Sequence, residues 1–136
     1  MRYRILSILF LISFGFALHA QDKACPDPVI RKEKVEYVSS NMSLTAAQQQ
    51  RFTPLYNKYS DELFNQRKAI KALEKNTNSQ YSVEQRQKLE QKTVEIKGKY
   101  KDEFLKFISA QQLAAMYKAE GEFKQKMIER FKREKR

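Results

Sequence analysis

Histidine, cysteine, tryptophan, glycine and proline are scarce in this 136-residue chain: one His, one Cys, no Trp, three Gly and three Pro. Each shortage excludes something. His19 lies within the first 20 residues, which read as a signal peptide, so the rest of the chain can assemble neither a Ser/His/Asp nor a Cys/His nucleophile set. There is no glycine-rich phosphate loop, no HExxH and no CxxC, so no metal and no other cofactor is expected. Paired acids such as Asp61-Glu62 and Asp102-Glu103 would point to different faces of a helix and read as solvated charge. An enzyme is therefore not expected. Few glycines beside abundant Lys, Glu and Gln fit an all-α chain.

What is present begins with an export signature. Arg2 and Arg4 precede an apolar stretch over residues 5–18, and Ala20 supplies a small residue at a cleavage point. Residues 1–20 read as a signal peptide, because the apolar core is shorter than the ~20 residues of a membrane span. An uncleaved anchor is the alternative. The signal predicts a periplasmic protein, with residues 21–27 as a flexible tail and 28–136 as the folded domain. Cys25 is then the lone thiol of an exported chain, a candidate for an intermolecular disulfide or a solvated cysteine in a loose tail. Asp22 and Lys23, between signal and cysteine, argue against lipidation. Without the signal, 25 basic residues face 16 acidic ones, a net charge of +9.

Three phrases share one pattern: Thr45-Ala46-Ala47-Gln48, Ser82-Val83-Glu84-Gln85 and Ser109-Ala110-Gln111-Gln112. A hydroxyl with Gln three residues on is a capping box, in which the hydroxyl accepts from the N3 amide and the Gln reaches back to the N-cap amide. With Asp27-Pro28 as a fourth start, four helices are predicted: about 28–40, from Thr45 to about Lys75, from Ser82, and from Ser109. Apolar stripes run through Phe52, Leu55, Tyr56, Tyr59, Leu63, Ile70 and Leu73 of the second, and Leu89, Thr93, Ile96, Tyr100, Phe104 and Phe107 of the third. On the fourth, Leu113, Met116, Tyr117, Phe123, Met127, Ile128 and Phe131 make the inner side. Pro54 predicts a bend in the second helix, with a full break as the alternative. Gly121 either weakens its helix by about 1 kcal/mol relative to Ala or marks a close approach to another backbone. Five acid-to-base pairs at four-residue spacing, Glu84–Lys88, Glu95–Lys99, Asp102–Lys106, Glu120–Lys124 and Glu122–Lys126, would support the outer faces. The second and third helices are too long for a compact bundle to bury. Either the other two fold back over them, or a second copy covers the remainder, and an elongated homodimer is expected.

The phrases Leu44-Thr45-x-x-Gln48 and Ile108-Ser109-x-x-Gln112 resemble the bacterial LTxxQ family of small exported helical proteins, the Spy- and CpxP-like proteins. The stretch from Gln50 to Tyr59 resembles an uncharacterised branch sometimes labelled sensors of extracytoplasmic-function sigma factors. The resemblance implies four helices, two of them long, in an elongated, curved antiparallel arrangement that dimerises into a cradle. It marks Leu44, Thr45, Gln48, Ile108, Ser109 and Gln112 as motif residues. It implies ATP-independent binding of unfolded envelope proteins on a basic, partly apolar concave face. Phe64, Tyr81, Arg67, Lys68 and Lys71 are the candidate client contacts. The alternative is an envelope-stress adaptor docked on a membrane-bound signalling protein. The family's zinc-binding branch uses histidine-rich segments that this chain lacks. Export argues against nucleic acid as the partner of the basic charge, which anionic surfaces or acidic unfolded segments would match instead.

Overall fold

The computed structural model describes residues 27–75 and 79–136, with side chains described except at positions 74 and 79–81. The expected signal peptide, the tail before Asp27 and Cys25 lie outside the described residues. Four helices follow in order: α1 (Pro28–Ser40), α2 (Ala46–Glu74), α3 (Ser79–Phe104) and α4 (Ala110–Glu134). No strand occurs among the described residues. The all-helical expectation holds.

Three helices start where the sequence places them. Asp27 accepts from the Val29 amide at 2.8 Å, with Pro28 in the first turn. Thr45 and Ser109 are N-caps with complete capping boxes. The third differs: α3 begins at Ser79, so Ser82 lies inside its first turns rather than at the cap. Once a helix is nucleated each further residue adds a hydrogen bond, and the Ser-Gln-Tyr segment contains nothing to stop that extension.

Pro54 does not break α2, which is continuous across it. An interior proline costs roughly 3 kcal/mol. Phe52 and Tyr56 flank it and are both fully buried, and each such ring returns about 1.5–3 kcal/mol. Thr53 and Gln49 brace the same turn, the Thr53 hydroxyl donating to the Gln49 carbonyl at 3.3 Å.

The core lies toward one end of the molecule. Val38 and Met42 from α1 and its exit meet Phe52, Tyr56, Tyr59 and Leu63 of α2, Ile96, Tyr100 and Phe104 of α3, and Leu113, Met116 and Ala119 of α4. Phe104 is its hub, with ring centroids 5.6 Å from Phe52, 5.8 Å from Tyr59 and 6.5 Å from Tyr100. Beyond Leu63 on α2 and before Ile96 on α3 no described apolar side chain is fully buried. Gln66 is, and its amide donates to the Leu89 carbonyl at 2.9 Å, tying the two helices where apolar packing thins out.

α2 packs along α3, while α1 packs on both α2 and α4. Polar contacts fix the same order. Arg31 of α1 pairs with Asp61 of α2 at 2.7 Å. Tyr100 of α3 donates to Glu62 of α2. On the other side Tyr37 of α1 donates to Glu122 of α4 at 3.0 Å, and Arg130 of α4 pairs with Glu33 of α1. Asp61 and Glu62 are therefore not merely solvated; adjacent on α2, they reach opposite neighbours. None of the five predicted acid-to-base pairs forms an ion pair. Glu120 instead takes Lys34 at 3.4 Å and the Tyr56 hydroxyl at 2.8 Å, and Lys99 takes Glu62. For Glu120 and Lys99 a tertiary partner displaces an exposed helical pair worth only ~0.2–0.5 kcal/mol, whereas Asp102, Lys106 and Glu122 pair nearby in the chain with Lys101, Glu103 and Lys118.

Candidate functional site: a basic apolar groove

Two constructions stand out: a polar clamp that joins the starts of α2 and α4, and an open groove lined from all four helices.

The clamp is made by the two motif glutamines. Gln48 Oε1 accepts from the Thr45 amide and Gln112 Oε1 from the Ser109 amide, each at 3.0 Å. The two side-chain amides also bond to one another, each Nε2 donating to the other's Oε1 at 3.1 Å. The remaining hydrogen on each Nε2 crosses to the opposite loop: Gln48 to the Phe107 carbonyl at 2.9 Å, Gln112 to the Ser43 carbonyl at 3.3 Å. Each carbonyl lies two residues before the other motif's N-cap. The arrangement is thus an exchange with near-twofold logic, and all donors and acceptor lone pairs of both amides are used. Ser43 has φ 50°, in the left-handed region that disfavours a side chain. Ile108 is buried and Leu44 half-buried beside the core. The six motif residues therefore form one structural junction, where the sequence shows only two separate helix starts.

The groove has a volume of about 1010 Å³ and is lined from all four helices. Its floor is the side of α2 that carries Tyr56, Tyr59, Leu63, Phe64 and Arg67; α3 contributes Val94, Lys97, Gly98 and Lys101; α4 contributes Tyr117, Phe123, Lys124, Met127, Ile128 and Phe131. Helix order explains the opening. α3 and α4 are the outer members of an arc in which α2 and α1 are central, and neither outer helix packs extensively on the other. Large apolar groups stay open there: Val94 is 70 % exposed, Phe131 46 %, Tyr117 39 % and Ile128 37 %. Tyr117, Ile128 and Phe131 were expected on the buried side of α4. They lie on the same stripe as Leu113 and Phe123, but no helix arrives to cover them.

The lining is strongly cationic. Arg31, Lys34, Arg67, Lys97, Lys101 and Lys124 line the groove, against one acid, Glu120. Arg31, Lys34 and Lys101 are held by Asp61, Glu120 and Asp102. Arg67, Lys97 and Lys124 make no ion pair among the described residues. Beneath them the floor phenols are locked neutral. Burial, reinforced by the negative charge of Glu120, lifts Tyr56 and Tyr59 far above the ordinary tyrosine range. The same causes raise Tyr117. A neutral floor under a positive rim suits an occupant that is apolar on one side and anionic at its edges.

Of the candidate contacts, Phe64 and Arg67 line the groove. Lys68 and Lys71 are exposed on α2 outside it. The side chain of Tyr81 lies outside the described residues. Lys97, Gly98 and Val94 went unremarked in the sequence, although a valine on an otherwise polar face of α3 is a readable signal. Gly121 also lines the groove, and a Cβ placed there would meet no atom within 4 Å, so it permits no close contact inside this chain. Among the described residues there is no cluster of three or more potential metal ligands and no helix long and apolar enough to cross a membrane. No protein-family model, curated protein or solved structure matches the chain.

Proposed function

We propose that this chain is an exported, ATP-independent chaperone-like protein of LTxxQ type that holds unfolded or partly folded envelope proteins in the groove between α3 and α4. The single observation behind this reading is the juxtaposition of open apolar side chains, Val94, Ile128 and Phe131, with the cations Arg67, Lys97 and Lys124, which make no ion pair among the described residues. Cations raise the rate of encounter with acidic segments, and apolar contact then slows release. The export expectation from residues 1–20 supplies the compartment. The coupled glutamines support the reading because they make the two motif phrases one functional unit of the fold.

The test is suppression of aggregation. At stoichiometric amounts and low salt, the protein should reduce light scattering from an unfolding acidic client. The triple change Arg67→Glu, Lys97→Glu and Lys124→Glu should remove most of that protection while leaving the helical signal intact. Unaltered protection in the triple variant would sink the assignment to this groove. Crosslinking in the envelope separates the adaptor alternative: many partners support a holdase, and one membrane signalling protein overturns it in favour of an adaptor.

A further inference from the structure

The two glycines of the described chain occupy corresponding roles. Gly98 is in the interior of α3 and Gly121 in the interior of α4, so one stands on each wall of the groove. Neither is required by the chain's own packing, because a methyl group at either position would enter open space. Glycine within a helix is nonetheless the costliest residue short of proline. Their placement makes sense if something outside this chain comes close to both backbones.

We propose that the groove is a docking position for one further helix, and that its occupant is an amphipathic acidic helix from another protein. The proposal rests on the binding reading above and names the form in which the ligand is held. Three observations carry it. First, α3, α2, α1 and α4 form an arc whose end members do not pack extensively on one another, so a further helix would complete a bundle. Second, the space matches. A helix about 10 Å thick rising 5.4 Å per turn fills about 400 Å³ per turn, so about 1010 Å³ receives roughly two turns. Third, charge selects the partner. The unpaired rim cations call for acids flanking an apolar stripe, and each of this chain's own four helices holds more basic than acidic residues. A second copy would set like charge against the rim.

The experiment uses the full folded chain and labelled synthetic peptides of about 18 residues. One has Leu and Phe at helical spacing flanked by Glu. The second is its scramble, and the third has proline at the centre. Fluorescence anisotropy should show the amphipathic peptide binding at least about tenfold more tightly than the others. The double variant Gly98→Ala/Gly121→Ala should melt at a higher temperature yet bind that peptide at least about fivefold more weakly. Equal binding of the three peptides, or unchanged binding by the double variant, overturns the helix slot. Anionic vesicles that displace the peptide with the same glycine dependence overturn it in favour of a lipid surface, and a peptide that binds only by splitting a dimer overturns it in favour of a second copy. Failure here is separable from failure of the holdase reading. Protein that suppresses aggregation but ignores peptide order keeps that reading and loses the slot; protein that takes only the helical peptide and protects no client keeps the slot and loses the reading.

Discussion

The end of the molecule where α1, α2 and α4 converge and the arm formed by the far halves of α2 and α3 are built from similar sequence but held by different forces. At the convergent end, thirteen buried apolar side chains interlock, and two glutamines cross-brace the helix starts. Along the arm, from residues 64 to 95, the described apolar side chains are half-buried at best, and the described cross-tie is the Gln66 bond to Leu89. Both regions carry heptad-like stripes and dense charge. The difference is the number of helices that arrive: α1 and α4 serve one end only. A stripe written for burial remains open wherever no partner reaches it, and the groove begins at that boundary.

The sharpest way to break the comparison is to empty the hub. Phe104→Ala should cost about 3–5 kcal/mol, whereas Leu89→Ala, half-buried on the arm, should cost well under half as much. Denaturant unfolding of both variants decides it, and equal losses would mean the arm is as firmly packed as the core.

Alkaline pH sharpens the contrast next, because the strongly shifted tyrosines of α2, Tyr56 and Tyr59, lie at the convergent end. Burial raises both in the folded state, whereas an unfolded tyrosine ionises near pH ~10. Above that pH the unfolded chain binds fewer protons than the folded one. Stability fully present below pH ~10 is therefore lost as the pH rises, by up to about 1.4 kcal/mol per pH unit for each phenol. Denaturation midpoints at a series of pH values should fall past that point, and Tyr56→Phe should flatten the slope. An unchanged slope would show that the phenol is not held neutral by the fold.

Gln48→Glu separates local capping from tertiary clamping. Glutamate still completes the Thr45 capping box, but it cannot donate to Gln112 or to the Phe107 carbonyl. A loss of about 1–3 kcal/mol is expected from the stranded groups. Gln85→Glu, the same change in the third phrase, should be nearly neutral because no Gln–Gln bridge forms there among the described residues. Equal effects would reduce the clamp to two independent caps. The smallest effect concerns Ser43. Glycine there relieves left-handed strain of about 1–2 kcal/mol but adds unfolded-state freedom of roughly 0.5–1 kcal/mol, so Ser43→Gly should gain no more than about 1.5 kcal/mol in thermal unfolding.

Much of this was legible in the sequence. Helix starts at Asp27, Thr45 and Ser109 follow from short-range capping chemistry, which depends on residues three apart and little else. The stripes of α2 and α3 follow from periodicity. Two features were illegible for a shared reason. Some charged groups chose partners across helices, as Glu120 did with Lys34 and Tyr56, because a carboxylate near a buried hydroxyl gains more than one facing water. Tyr117, Ile128 and Phe131 kept helical phase with the buried residues of α4, and phase alone does not say how far along a helix its neighbours extend. The groove glycines were visible as residues but not as a pair, since nothing in the order of the chain places position 98 opposite position 121.

The sequence by itself determined an all-helical chain, its helix count and three of its four helix starts, because hydrogen bonding and periodicity act over a few residues. Only the tertiary structure decided that the two motif glutamines bond to each other, that α3 and α4 end the arc without packing extensively on one another, and that the cations Arg67, Lys97 and Lys124 share one lining. Those outcomes depend on which helices come together, and that is settled by the packing of Phe104 and its neighbours over contacts that span most of the chain.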